Sequence, residues 1–78
     1  MNLPPKIIEV FIEVFGEKGK EINIETSITN FHTWDSMRHM ELISALEKKF
    51  DIKINFREAM EIESVKNIIN TINKKIKN

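Results

Sequence analysis

Three segments of this chain repeat apolar residues at the spacing of one face of an α-helix, and this repetition constrains the fold more than any other feature. The three faces comprise Ile8, Phe11, Ile12 and Phe15, then His39, Leu42, Ile43, Leu46 and Phe50, and then Val65, Ile68, Ile69, Ile72 and Ile76. Isolated helices of roughly 12 to 15 residues are marginal in water, so these segments must pack on one another. A chain of 78 residues has room for one domain, residues 1–78, and too little core for an enclosed active site.

The limits of the helices follow from residues that favour helix starts and ends. Pro4–Pro5 suits the start of the first helix and Gly16 suits its end. The second helix runs from about Ser36 to Phe50, and Ser64 offers an N-cap for the last one. A brief helix is expected from Phe56 to Met60. The sequence therefore predicts an all-α bundle of three main helices plus one short helix.

A long loop is predicted between the first two helices. From Glu17 to Asp35 the helical period fails, and turn-forming and capping residues accumulate. Loops of this length are uncommon in compact domains and are usually functional. Four apolar residues are expected to hold the loop against the core: Ile22, Ile24, Ile28 and Phe31. Residues 51–55 read as a short connection, since a strand there would have no obvious partner.

Composition excludes several classes of function. Twelve basic and twelve acidic residues cancel, so the chain lacks the basic excess of a nucleic-acid binder. We interpret the lysines at the end of the last helix, Lys74, Lys75 and Lys77, as solvated helix-end charges. Cysteine is absent, which rules out disulfides and thiolate metal sites and suits a reducing cytoplasm. No apolar run approaches the roughly 20 residues of a membrane span. We expect the protein to be cytoplasmic and monomeric.

The segment Asp35-Ser36-Met37 lies where the long loop becomes an amphipathic helix. A serine at that point projects from an exposed helix N-terminus, where unpaired N–H groups and the helix dipole favour an attached anion. Asp and Ser are also ordinary N-cap residues, and by itself the pair is more often a cap than a modification site. The residues of this segment alone leave both interpretations open.

The exposed side of the second helix carries a mixture of apolar and charged residues. At 100° per residue it comprises Ser36, Met37, Met40, Glu41, Ser44, Glu47 and Lys48. Because Met37 and Met40 lie opposite the core face, we predict that they contact a protein partner, with Glu41 and Glu47 as a polar rim. His39 is expected to be a packed or interface residue and not a metal ligand, since the position one turn later is Ile43. No metal site is predicted.

Nearly the whole chain resembles the acyl carrier protein family and the related peptidyl carrier proteins. The resemblance rests on the loop stretch Ile24-Glu25-Thr26-Ser27-Ile28-Thr29-Asn30-Phe31, on Trp34-Asp35-Ser36-Met37, and on Glu41-Leu42 through Ala45-Leu46-Glu47 to Phe50. The family implies four helices and a serine that carries 4′-phosphopantetheine, and Ser36 is the matching position. Asp35 matches the acidic residue that precedes the serine in the family.

The resemblance also implies the chemistry of the carrier. A phosphopantetheinyl transferase uses coenzyme A and magnesium to join the prosthetic group to the serine hydroxyl, and the terminal thiol of the group then holds a substrate as a thioester. Asp35 is expected to help the transferase position the serine or its metal. The partners implied are this transferase and the enzymes that load and use the acyl group, while the carrier itself is not an enzyme.

Two departures from the family pattern bear on the pathway. Fatty-acid carriers are usually strongly acidic, whereas Arg38, Lys48 and Lys49 lie in the second helix of this neutral chain. Like charges would weaken contact with partners that present basic patches. In addition, His32-Thr33-Trp34 replaces the segment of small Gly and Ala residues that is common before the acidic residue in fatty-acid carriers. Trp34 is either a packing residue or a contact for cargo. Both features predict an acyl or aminoacyl carrier in a specialised pathway instead of bulk fatty-acid synthesis.

Two other functions are compatible with the residues. One is a helical interaction module that uses Met37 and Met40 without any prosthetic group. The other is a hydrolase with Ser36 as nucleophile, which lacks an evident base because His32 lies in the loop and His39 on the core face.

Overall fold

The computed structural model describes residues 3–76 and consists of α-helices joined by short connections and one long loop. The helices are α1 (Pro5–Phe15), α2 (Ser36–Phe50), α3 (Phe56–Glu61) and α4 (Val65–Ile76). Residues 3–76 contain no β-strand, and only an isolated bridge joins Ser27 to Ser64. The predicted bundle of three main helices and one short helix is confirmed. Of the lysines predicted at the end of the last helix, Lys77 lies outside the described residues.

Capping interactions place the helix ends where the sequence predicts them. The N–H of Gly16 donates to the carbonyl of Ile12 as the chain leaves α1 with a positive φ of 74°. The Ser64 hydroxyl accepts a hydrogen bond from the N–H of Asn67 at 3.1 Å, which makes Ser64 the N-cap of α4. In α3, Asn55 and Glu58 form a reciprocal capping box.

The core lies between the four helices and draws on all of them. Its fully buried side chains are Phe11, Ile7, Leu42, Leu46, Ile68, Val10 and Val65. Half-buried apolar residues, among them Phe15, Phe31 and Phe50, pack against this centre. The faces predicted for α2 and α4 are the faces that the bundle buries, with Ile76 at the end of α4 as an exposed exception. On α1 the prediction is correct only in part, since Phe11 is buried whereas Ile8, Ile12 and Phe15 are half-buried. The other buried residues of α1 are Ile7, Val10 and Val14.

The long loop is more structured than the sequence predicts. A 3₁₀ helix spans Gly16–Glu21, directly after α1. It lies so close to α1 that a Cβ atom on Gly19 would come within 2.5 Å of the Ile12 nitrogen. The prediction of an irregular segment is wrong for residues 17–21, because the absence of a side chain at Gly19 lets the chain fold back onto the preceding helix. Residues 22–35 form a loop, as predicted.

The prediction that four loop residues hold the segment to the core is correct in part. Ile22 is buried, Phe31 packs against the core and Ile24 is half-buried. Ile28 is 41% exposed, so its predicted burial is wrong. Backbone bonds explain its position, since the N–H of Ile28 donates to the Glu63 carbonyl at 3.0 Å and thereby fixes this residue beside the α3–α4 connection.

Ion pairs connect neighbouring helices at the surface. Lys49 of α2 reaches both Glu9 and Glu13 of α1, each at 3.2 Å, and hydrogen bonds to these carboxylates raise the pKa of Lys49. Lys75 of α4 lies 2.8 Å from Glu58 of α3, and this contact lowers the pKa of Glu58. Lys49 therefore connects α2 to α1 and is directed away from the exposed side of α2.

Candidate functional site

Ser36 is the first residue of α2 and is exposed. Asp35 before it has extended backbone, with φ −106° and ψ −173°, and its Oδ1 accepts a hydrogen bond from the N–H of Arg38 at 2.8 Å. Asp35 is thus the N-cap of α2, and it directs the following residue outward at the start of the helix. The hydroxyl of Ser36 is accessible at a helix end whose dipole favours negative charge.

Trp34 anchors the loop immediately before this corner. Its side chain is only 5% exposed, and its ring lies 5.5 Å from that of Phe11 and 6.2 Å from that of Phe15. The backbone N–H of Trp34 donates to the Phe31 carbonyl at 2.9 Å. The packing interpretation of Trp34 is therefore supported, although one side of the residue also borders a surface groove.

His39 connects this corner to α3. The Trp34 indole Nε1–H donates to His39 Nδ1 at 3.0 Å, and His39 Nε2 lies 2.8 Å from the carbonyl oxygen of Ala59. The ring is half-buried, in keeping with the predicted packed histidine. Among residues 3–76 no group of three or more His, Cys, Asp or Glu side chains could hold a metal ion.

An open groove of about 510 Å³ lies beside Ser36, and we call it the Ser36 groove. It is lined by Ile28, Trp34, Asp35, Ser36, His39, Met40, Met60, Ile62 and Glu63. Most of these side chains are apolar, and the carboxylates Asp35 and Glu63 are its acidic members. A group attached to the hydroxyl of Ser36 could lie along an apolar surface without leaving the protein.

Four large apolar side chains are exposed on α2 and α3. Met37 is 72% exposed, Met40 59%, Met60 63% and Phe56 77%. The first two were predicted from the helical wheel of α2. Met60, Phe56 and the groove residue Ile28 were missed because a six-residue helix and an irregular loop have too little periodicity to show which side faces solvent.

The charged residues of the predicted partner surface differ in their environments. Arg38 and Glu41 are exposed and pair with each other at 3.0 Å. Glu47, which the wheel places toward solvent, is half-buried, and its Oε2 accepts a hydrogen bond from the N–H of Ile54 at 2.9 Å. Lys48 is exposed. The hydrogen bond to the α2–α3 connection therefore holds the side chain of Glu47 against its own protein, whereas the wheel places it toward solvent.

The geometry gives no support to a hydrolase. Both ring nitrogens of His39 are engaged by Trp34 and Ala59, and no hydrogen bond joins Ser36 to a histidine within residues 3–76. A serine nucleophile needs a base within hydrogen-bonding reach, and this base needs an orienting group. Ser36 is exposed, whereas the parts for nucleophilic catalysis are not assembled around it within residues 3–76.

Comparison with known proteins identifies the family. Residues 5–72 match the family described as "Phosphopantetheine attachment site". The chain belongs to this family. A curated relative of this chain, named acyl carrier protein, comes from Solidesulfovibrio magneticus (strain ATCC 700980 / DSM 13731 / RS-1). The two are 29% identical over 75 residues, which cover 96% of each chain.

Membership in the phosphopantetheine attachment site family confirms the predicted family and cofactor. It implies a covalently attached 4′-phosphopantetheine group, as carriers of the acyl and peptidyl type have. Such carriers are not catalytic themselves and interact with transferases and biosynthetic enzymes. Of the three predicted functions, membership therefore favours the carrier. No helix within residues 3–76 has the length and apolar character needed to cross a membrane.

Proposed function

We propose that this protein is an acyl or aminoacyl carrier whose 4′-phosphopantetheine is attached to Ser36. The observation that carries the proposal is the exposed serine at the start of α2, next to an apolar groove, in a chain of the phosphopantetheine attachment site family. When attached, the group supplies a terminal thiol that holds cargo as a thioester. The phosphodiester would lie at the positive end of the helix dipole.

The residues around Ser36 fit this group. The hydroxyl is exposed, so a transferase can approach it, and the cap formed by Asp35 holds the helix start in place. We propose that the Asp35 carboxylate also helps a phosphopantetheinyl transferase position the serine or its metal. The second carboxylate oxygen of Asp35 remains available for this contact, since Oδ1 is the atom that accepts the capping bond.

We place the partner-binding surface on the exposed side of α2. Met37 and Met40 supply apolar contact, and the pair formed by Arg38 and Glu41 borders them. Glu47 stays a proposed rim residue, although its bond to the Ile54 N–H ties one of its oxygens to the chain. Exposed methionines adapt to partners of different shape, which suits a carrier that meets several enzymes in turn.

We further propose that the carrier is a cytoplasmic monomer and that it serves a specialised pathway. The specialised pathway is supported by charge, since the exposed basic residues Arg38 and Lys48 lie on the partner-binding side of α2 and the chain as a whole is neutral. Enzymes of general fatty-acid synthesis that recognise acidic carriers would meet like charge at these positions. Replacing both residues by Glu should make the protein a better substrate for a fatty-acid malonyl-loading transferase, and an unchanged or lower rate would contradict this proposal.

Attachment at Ser36 is tested by intact mass. The protein is incubated with coenzyme A, magnesium and a phosphopantetheinyl transferase of broad specificity. Wild type and the matched control Ser44→Ala, which alters another exposed serine of α2, should each gain one phosphopantetheinyl group, whereas Ser36→Ala should gain none. A gain that persists in Ser36→Ala, or no gain in wild type, would overturn the proposal.

The partner surface is tested with the same transferase. The double variant Met37→Ala/Met40→Ala should lower kcat/KM for modification without lowering the thermal midpoint, because both side chains are exposed. Ile76→Ala removes an exposed apolar side chain on α4 and is the control. Equal kcat/KM for the double variant and the control would show that the two methionines take no part in docking.

A further inference from the structure

The ring of His39 forms the middle of a hydrogen-bond chain with a defined direction. The indole Nε1–H of Trp34 can only donate, so His39 Nδ1, at 3.0 Å, must accept. The carbonyl oxygen of Ala59 can only accept, so His39 Nε2, at 2.8 Å, must donate. The neutral tautomer that carries its proton on Nε2 is the form of the imidazole that satisfies both contacts.

This chain of hydrogen bonds connects the residues on both sides of Ser36 to α3. Trp34 lies two residues before the serine and His39 three residues after it, one turn along α2. Ala59 lies in the final turn of α3, where the weaker contact from the Ile62 N–H, at 3.3 Å, also reaches its carbonyl. One imidazole therefore joins the end of the loop, the first turn of α2 and the end of α3.

We infer that His39, in its neutral Nε2–H tautomer, is the positioning residue that holds the Trp34–Ser36 corner and α3 in the arrangement presented to the transferase. This inference rests on the proposed function of Ser36. It assigns a role to a residue that forms part of the wall of the Ser36 groove and has no free ring nitrogen for chemistry. His39 acts through the placement of its neighbours and not on the reacting atoms.

Loss of the acceptor at His39 Nδ1 would break the hydrogen-bond chain at one end. Trp34 is buried, and its indole N–H would then lack its partner within the protein. Loss of the donor at His39 Nε2 would break the chain at its other end and release the Ala59 carbonyl of α3.

The composition of the chain makes this arrangement measurable. Trp34 is the only tryptophan and there is no tyrosine, so both the indole N–H signal in NMR and the intrinsic fluorescence report on this one site. The chain has two histidines, and His32 is exposed in the loop. His32→Gln is therefore a matched control for changes at His39.

Two substitutions separate hydrogen bonding from packing. The amide of His39→Gln offers an acceptor oxygen and a donor N–H₂ group, whereas His39→Leu offers neither. The Trp34 indole N–H signal of His32→Gln should coincide with that of wild type, that of His39→Gln should stay close to it, and that of His39→Leu should be displaced. The nitrogen-15 shifts of the His39 ring should show a protonated Nε2 and a bare Nδ1.

Modification of Ser36 by the transferase supplies the functional measurement. His39→Gln should keep most of the wild-type kcat/KM, and His39→Leu should lose roughly tenfold because the reacting hydroxyl is misplaced. The control His32→Gln should match wild type. Rescue by Gln but not by Leu would assign the effect to the hydrogen bonds and not to packing.

Three results would overturn the inference: a protonated Nδ1 in the ring spectrum, an indole N–H signal that is displaced as far in His39→Gln as in His39→Leu, or a wild-type kcat/KM for a folded His39→Leu. Should His39→Leu fail to fold, the ring spectrum and the Gln variant still decide the question. Failure of the proposed function is distinct, since it would appear as absent mass gain on Ser36 in every variant while the indole and ring signals remained measurable.

Discussion

Asp35 is proposed to have two roles, as the cap of α2 and as a contact for the transferase, and two substitutions can separate them. Its Oδ1 accepts the N–H of Arg38 at 2.8 Å. Asp35→Ala removes both this bond and the charge at the helix start, for an expected loss of about 1 to 2 kcal/mol in the free energy of unfolding. Asn ranks with Asp as an N-cap, so Asp35→Asn should stay within about 0.5 kcal/mol of wild type.

The stability of the Asp35 variants is measured by thermal and urea denaturation followed by circular dichroism. In a domain of this size a loss of 1 kcal/mol lowers the thermal midpoint by about 4 to 8 °C, so the Ala variant should differ clearly from the Asn variant. Transferase kcat/KM should show a different order. Both variants lack the carboxylate, and loss of one charge-assisted contact should lower kcat/KM about tenfold in each.

The two measurements on Asp35 can each refute one part of the reasoning. If Asp35→Ala is as stable as wild type, the side chain does not cap α2 in solution. If Asp35→Asn is modified at the wild-type rate, the carboxylate does not assist the transferase. If the transferase modifies Asp35→Ala slowly and Asp35→Asn at the wild-type rate, the loss of the ordered helix start accounts for the whole decrease in kcat/KM.

Three further predictions concern the scaffold. Gly19→Ala should lower the free energy of unfolding by about 1 to 3 kcal/mol in urea denaturation, because the new Cβ would collide with the backbone of α1. The control Lys18→Ala, which alters an exposed neighbouring residue, should have little effect. Glu58→Gln should be less stable than wild type at neutral pH. The pair with Lys75 lowers the pKa of Glu58 from its ordinary value of 4.5. The contribution of the pair to the free energy of unfolding is therefore present above that value and is lost as the pH falls through the lower folded pKa. A difference in stability between Glu58→Gln and wild type that does not shrink on acidification would refute this. Asp51 ends α2 with φ 54°, so Asp51→Gly should be more stable than Asp51→Ala by about 1 kcal/mol in the same denaturation assay, and the reverse order would contradict the left-handed conformation.

Much of the fold could be predicted because helices are encoded locally. The spacing of apolar residues and the caps at Gly16 and Ser64 depend only on neighbours within one or two turns, and they correctly predict the helices and these two helix ends. The exposure of Met37 and Met40 also followed from one helix alone. The family resemblance added Ser36 as the proposed attachment site, which remains to be tested by modification.

The remaining features depend on contacts between segments distant in the sequence. Ile28 is exposed because its N–H pairs with Glu63, 35 positions further along the chain, and the 3₁₀ helix forms because Gly19 can approach the backbone of α1. Likewise, no local pattern reveals that the ring of His39 lies between Trp34 and Ala59. By itself the sequence determined the helices and the exposed serine; tertiary packing decided the groove beside that serine and the hydrogen bonds around it, because they require distant segments to meet.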